Sequence, residues 1–499
     1  MLALAGMSGT VSRAVTLKPS EYAELDAVDI ARAVTAGELS AVEVTEAAIA
    51  AVEALNPTLN ALVLQDFERA RHRARTVDPH APLAGVPFLV KDIDVYTEEW
   101  PTTLSSRFFA TAAPRPDSTI VRRWRDAGTV FLGKTNTPEF AADFITEPAF
   151  RGVTRNPWDG QRTVGGSSGG AAAAVASGMV PVAHGSDVGG SIRVPAAACG
   201  LFGLKPSRGL NPVGPYVGEI GSGLDCEHVI SRSVRDSAAF LDVTAGPEPG
   251  APYLVSRSVE SYLRALEAPT GRLKVACIDR PLDGEPVDPE IATAFAAAQA
   301  LLARQGHELV PTQFPAAVAA EVAGEGWSVL WLMDVAMAIR ERTLELGRPP
   351  AEGEIEPLSQ HIERRIARLS GLEYIEVTRL AHRVRLAMAH AFSDFDLIMT
   401  PATGTLPPTL GTINTSSLPF DFDRWCQVAY RFAPFSEVFN VTGQPAASLP
   451  LFVSESGLPI GIQLVGRQNH DHVVLQVAAA LERETGWIHR HPPCWLGHR

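Results

Sequence analysis

The stretch GGSSGGAAAAVASGMVPVAHGSDVGGSIRVPAAACGLFGLKP, residues 165–206, decides how this chain is read. Two glycine-flanked serine sites, Ser167–Ser168 and Ser191, bracket an alanine-rich run and a short apolar one. Glycine serves where the backbone takes positive φ or where another group must come close. Two clusters of it around hydroxyls therefore mark a place where a substrate meets main-chain N–H groups. Ser168 is placed to cap a helix beginning near Gly170, Ala171 to Val175 favour helix, and Ser177-Gly178 would end it. Val180 to Ala183 then reads as a short buried strand that delivers Gly185 to Arg193 as an irregular loop. In that loop Val188, Gly189, Gly190 and Ser191 offer successive N–H groups around a hydroxyl, which is what an oxyanion hole requires.

Outward from this stretch, apolar strands alternate with amphipathic helices, the pattern of an α/β fold with a mixed central β-sheet flanked by helices. Residues 1–75 form an N-terminal helical segment, with Ser40 capping a helix that runs to Leu55. Residues 76–316 and 394–490 make the α/β core, with strands at 85–92, 129–132, 273–278, 397–399, 446–451 and 461–465. Residues 317–393 break the rhythm and read as a mostly helical insertion that could cover the active site, interrupted at Pro349-Pro350 and Gly353. Trp327, Trp331, Met333 and Met337 in that insertion fall at helical spacing, which favours plain core over a cover. No repeat or low-complexity linker divides the 499 residues, so one domain spans 1–499.

Composition narrows the class. Hydrophobic residues make up 46% and charged ones 20%, enough for a sizeable core. A net charge of −13 leaves no basic excess to neutralise phosphates, which excludes a nucleic-acid partner. Five scattered cysteines make neither a disulfide framework nor a metal pattern. The N-terminus lacks the basic region of a signal peptide, and the apolar window 171–183 is too short to span a bilayer, so a cytoplasmic protein without a membrane role is expected.

Three readings compete at the chemistry-bearing residues. GGSSG at 165–169 matches the G-x-S-x-G nucleophile elbow in form, but the polar residues 159–163 before it do not make the core strand an elbow needs. GTVFLGKT at 128–135 matches a phosphate-binding loop in form, yet its four intervening residues are themselves a strand. Lys91 ends the apolar strand 85–92, and strand alternation turns it away from Asp92. A strand-end lysine is ordinarily solvated; alongside the serine sites it reads instead as a desolvated base. Asp187 and Arg193 read as an ion pair stiffening the loop, and His184 as a satisfied structural histidine. The tail His489, His491, Cys494 and His498 matches no standard zinc spacing, so no metal site is assigned. Phe140, Ala141, Phe144 and Ile145 could wall an apolar substrate pocket, though core packing accounts for them equally well.

Lys91, GGSSGG and SDVGGSIRVPAAACGLFGLKP together closely resemble the amidase signature family, and the two key serines stand 24 residues apart as in that family. LGKTNTPEF (132–140), TRNPWD (154–159) and FNVTGQPAASLP (439–450) extend the resemblance over most of residues 20–485. Within the family the chain looks most like the branch holding nylon-oligomer cyclic amide hydrolases, aryl acylamidases and urethanases. The resemblance implies a Ser–cis-Ser–Lys triad, with Ser191 as nucleophile, Lys91 as neutral base and Ser167, at a cis peptide near Gly166, as relay. It implies hydrolysis of an aryl or alkyl amide or carbamate through an acyl-enzyme, with no cofactor, by a monomer or homodimer. The rival reading is the glutaminase subunit of a tRNA-dependent amidotransferase, which would share the triad.

Overall fold

The computed structural model describes residues 17–322, 328–416 and 419–498. Eleven strands among them divide between two sheets rather than one. The small sheet holds β1 (Leu62–Gln65), β2 (Pro87–Lys91) and β3 (Val130–Thr135) in the order β1-β3-β2, with β2 and β3 parallel. The large one holds β4 (Val182–Ser186), β5 (Phe202–Lys205), β6 (Glu227–Ser231), β7 (Lys274–Cys277), β8 (Glu308–Pro311), β9 (Leu397–Pro401), β10 (Ala446–Val453) and β11 (Pro459–Gly466). Its order is β4-β6-β5-β10-β11-β9-β7-β8. Pairs β7–β8 and β7–β9 are parallel and the other pairs antiparallel, so the sheet is mixed as the strand–helix rhythm implies. The β10–β11 register slips between Leu449 and Phe452, at Pro450, which has no N–H to give the ladder.

The alanine run explains how the sheets are joined. Helix Gly169–Ala176 is buried along all eight residues, as expected of a helix apolar all round. Its small side chains let it pack against β2 and β3 on one side and β4 and β6 on the other. One core cluster accordingly runs through both, from Phe88, Leu89 and Val90 to Val182, Ala183 and Ile230. Ser168 does occupy the N-cap position, but its hydroxyl makes no cap; it donates to the Ser186 carbonyl instead. The strand expected at 180–183 begins two residues later, beyond Pro181.

Elsewhere the local signals hold. Ser40 and Glu43 form a capping box on helix Ala41–Leu59. Thr135 and Lys134 lie inside β3, which rules out a phosphate loop there. The insertion contains helices Ala316–Val322, Ser328–Leu346, Pro357–Ile366 and Gly371–Ala391, and the expected break falls at 347–356. The C-terminal tail is less solvated than its polarity suggests: Trp495 is buried in the core and His491 stacks on it at 4.1 Å. No described helix is long and apolar enough to cross a membrane.

Candidate active site

Lys91 closes β2, where all five residues are buried. Its backbone N–H donates to His184 Nδ1 at 3.1 Å, which locks the small sheet onto β4. Because Nδ1 accepts there, the proton of His184 sits on Nε2 and points at Glu227. Burial holds the imidazole pKa well below its ordinary value, with the charges of Lys91 and Lys134 adding to the effect. His184 is thus a satisfied structural residue, as its sequence position suggests. Asp92 turns away from Lys91 and takes Lys134 Nζ at 3.3 Å, the alternation expected of a strand.

The Lys91 amine is completely buried. It reaches Ser167 Oγ at 2.7 Å and Ser186 Oγ at 3.0 Å. Burial pulls its pKa below 10.5, against the opposing pull of Asp94, Glu227, Asp225 and Asp187. A lysine in such a place is readily neutral and can accept a proton.

Ser167 and Ser191 arrive on separate segments. The peptide between Gly166 and Ser167 is cis, and the Ser168 N–H donates to the Ser191 carbonyl at 3.1 Å, setting the two serine segments side by side. Gly166 is required here because a Cβ would run into the backbone of Phe144 and Ile145. Ser191 stands just before helix Arg193–Cys199 and keeps 8% of its surface exposed, enough to present its hydroxyl to a cavity.

The loop that carries Ser191 is built around Asp187. Its carboxylate takes Arg193 Nη2 at 2.8 Å and Nε at 2.9 Å, the ion pair read from the sequence. Burial alone would raise its pKa, but the Arg193 charge and hydrogen bonds from Arg193 and Asn440 hold it below the usual carboxylate range. The same carboxylate also takes the Gly190 N–H at 2.7 Å. This corrects the sequence reading of four oxyanion donors: Gly190 spends its N–H on Asp187, and Val188, Gly189 and Ser191 remain as candidates. Gly190 is needed for another reason, φ of +137° with Ser436 where a Cβ would stand.

A cavity opens on Ser191, Val188 and Gly189. Of the four residues expected to wall it, Ala141 and Phe144 do so. Phe140 and Ile145 do not line it; both are buried in the neighbouring core cluster, Phe140 edge-on to Phe109 at 5.8 Å. Ala142, Asp143, Trp331, Trp425 and Glu437 complete the lining. Trp331 Nε1 donates to Glu437 at 3.1 Å and Trp425 Nε1 to Asp143 at 3.0 Å, so each ring is fixed by a carboxyl. The reading of Trp331 and Met337 as plain core is therefore overturned: Trp331 faces the cavity and Met337 is exposed, while Met333 is half-buried. Trp327 lies outside the described residues. Sequence reading also missed Ser186, Asp94, Asp225 and Glu227 around the lysine. Strand alternation was the available signal for Ser186, since it shares a face of β4 with His184.

A buried lysine hydrogen-bonded to a serine on a cis peptide, beside a second serine and free backbone N–H groups, is the equipment of an acyl-transfer hydrolase. The chain belongs to the amidase family, whose model matches residues 43–475. It is 36% identical over 476 residues to the 6-aminohexanoate-cyclic-dimer hydrolase of Paenarthrobacter ureafaciens, spanning 94% of this chain and 96% of that protein. The structure of a 6-aminohexanoate cyclic dimer hydrolase complexed with substrate superposes with a TM-score of 0.90 at 35% identity, covering 95% of this chain and 99% of the other. A bacterial aryl acylamidase follows at a TM-score of 0.83 and 27% identity, covering 93% and 97%. The fold is thus that of the amidase signature enzymes, and the protein is a hydrolase of amide C–N bonds.

Proposed function

We propose that the chain hydrolyses aryl and alkyl amides and carbamates through an acyl-enzyme on Ser191. The observation that carries the mechanism is the fully buried Lys91 amine 2.7 Å from Ser167 Oγ. Neutral Lys91 takes the Ser167 proton while Ser167 takes that of Ser191, and the freed Ser191 oxygen attacks the substrate carbonyl carbon. Ser167 can both accept and donate, so the path reverses to protonate the departing nitrogen as the C–N bond breaks. Water then attacks the acyl-enzyme by the same route. The N–H groups of Val188, Gly189 and Ser191 hold the tetrahedral oxyanion, each well-placed donor contributing about 3–4 kcal/mol.

The relatives' own substrates, a cyclic amide dimer and aryl acylamides, support an uncharged planar carbonyl bound to nitrogen. Trp331, Trp425 and Phe144 offer apolar surface for its substituents, and a carbamate presents the same reacting atoms. In this reading the enzyme acts in the cytoplasm as a monomer or homodimer and needs no cofactor.

The test is release of amine from 4-nitroacetanilide, a nitrophenyl carbamate, a primary amide and glutamine by the purified chain. We expect turnover of the anilide and carbamate, lost by at least about a hundredfold in Ser191→Ala and Lys91→Ala. Activity surviving in Ser191→Ala would end the mechanism. Turnover of glutamine alone would replace the substrate class with that of a glutaminase.

A further inference from the structure

The mechanism above uses one of the two hydroxyls that touch Lys91. The other, Ser186 Oγ, lies 3.0 Å from Nζ and donates its own proton to Asp94 Oδ2 at 2.6 Å. Asp94 follows β2 in a left-handed conformation, φ of +64°, that turns it back toward the lysine and leaves it half-buried. We propose that Asp94 is a positioning residue that fixes the direction in which protons run through Lys91. The proposal rests on Lys91 being the base assigned above.

The argument is one of counting. A hydroxyl has a single proton, a neutral amine has two N–H groups and one lone pair, and an ionised carboxylate only accepts. With Asp94 holding the Ser186 proton, Ser186 can offer Lys91 nothing but a lone pair, so it takes an N–H. The lone pair of Lys91 is then left for the Ser167 proton, and every hydrogen bond in the chain Ser167–Lys91–Ser186–Asp94 runs the same way. Without the carboxylate, Ser186 is free to turn its proton onto the Lys91 lone pair. The base would then be occupied by the wrong hydroxyl, with almost no change in atomic positions.

The charges around Asp94 fit this role. Lys91 faces it from β2, Asp225 and Glu227 from the β6 side, Asp334 from helix Ser328–Leu346, and Tyr96 from its own loop. Carboxylate oxygens of Asp94, Asp225 and Glu227 lie within 4.8 Å of one another. Burial drives Asp225 and Glu227 strongly toward the neutral form. Burial raises the Asp94 pKa too, but Asp94 is the one of the three on which Lys91 and the Ser186 hydroxyl together oppose that rise. Its negative charge also raises the Lys91 pKa, so its removal favours the neutral amine while releasing the Ser186 proton.

The experiment is a cycle of Asp94→Ala, Ser186→Ala and the double variant, read as kcat and as the acid limb of kcat/KM on an anilide. Asp94→Ala is expected to lower kcat about tenfold or more with KM little changed, and to move the acid limb to lower pH. In the Ser186→Ala background, where no competing hydroxyl remains, Asp94→Ala should cost nothing further in kcat. An unchanged rate, a loss with the acid limb unmoved, or equal losses in both backgrounds would each overturn the proposal. Counting acyl-enzyme by the burst from a nitrophenyl ester separates this failure from failure of the triad. A burst of one per chain with any of those three results sinks the role of Asp94 alone, whereas no burst in the parent enzyme sinks Ser191 first.

Discussion

In the proposed mechanism Lys91 serves as a base because it is denied water. Its pKa is drawn below 10.5 by burial, and a base acts only when neutral, so kcat/KM is expected to rise with pH through a limb centred below 10.5. Arginine stays protonated at any usable pH; Lys91→Arg should therefore abolish turnover at every pH tested, by at least about a hundredfold. A pH–rate profile of the two proteins checks both statements, and an active arginine variant would remove Lys91 from the base position. Much of this was legible at the residue scale. The motifs around Lys91, Ser167 and Ser191 carried the family resemblance that implies a triad, and the Asp187–Arg193 pair followed from opposite charges flanking a glycine loop. Asp94 was not legible, because its position depends on a left-handed turn that no neighbouring residue type announces. Gly190 was misread as an oxyanion donor for a similar cause: sequence lists an N–H but not the carboxylate that takes it.

Among the elements, the helical insertion is tied to the cavity wall by a buried acid. Glu139, next to the wall residue Ala141, accepts from Ser106 Oγ at 2.7 Å, from the Glu356 N–H at 2.7 Å and from Ser359 Oγ at 2.5 Å. Burial, helped by the charge of Glu356, pushes its pKa up to about 7. The folded state therefore holds a proton that the unfolded chain releases near 4.5. The resulting stabilisation is complete below that pH and is lost as pH rises through about 7. Glu139→Gln should flatten this fall in the thermal midpoint between pH 4.5 and 8, and a slope equal to that of the parent protein would contradict it. Helix and strand positions were mostly readable from periodicity and caps, since those signals are local. The division into two sheets was not, because nothing in an apolar strand states which partner it will pair with. Trp331 was misassigned for the same reason: helical spacing gives a face but not what the face meets.

For the molecule as a whole, Arg193 is the fastening between the loop that carries Ser191 and the large sheet. It is fully buried and binds Asp187, the Ser436 carbonyl at 2.8 Å, Gln463 of β11 at 2.8 Å and Asn440 at 2.5 Å. Arg193→Met leaves Asp187 charged and unpaired in the interior and should cost about 3–5 kcal/mol of stability. Chemical denaturation measures that loss, and a change below about 1 kcal/mol would show that the loop is held by its backbone bonds instead. The two-sheet plan has a consequence of its own. Lys91 hangs from the small sheet, while Ser191 follows a strand of the large one, and in the proposed mechanism only the packed seam brings them to one proton path. The enzyme is thus a coincidence detector for its own assembly. A chain with either sheet formed but not yet docked owns every catalytic side chain and still cannot cut, so activity reports the last step of folding rather than the first.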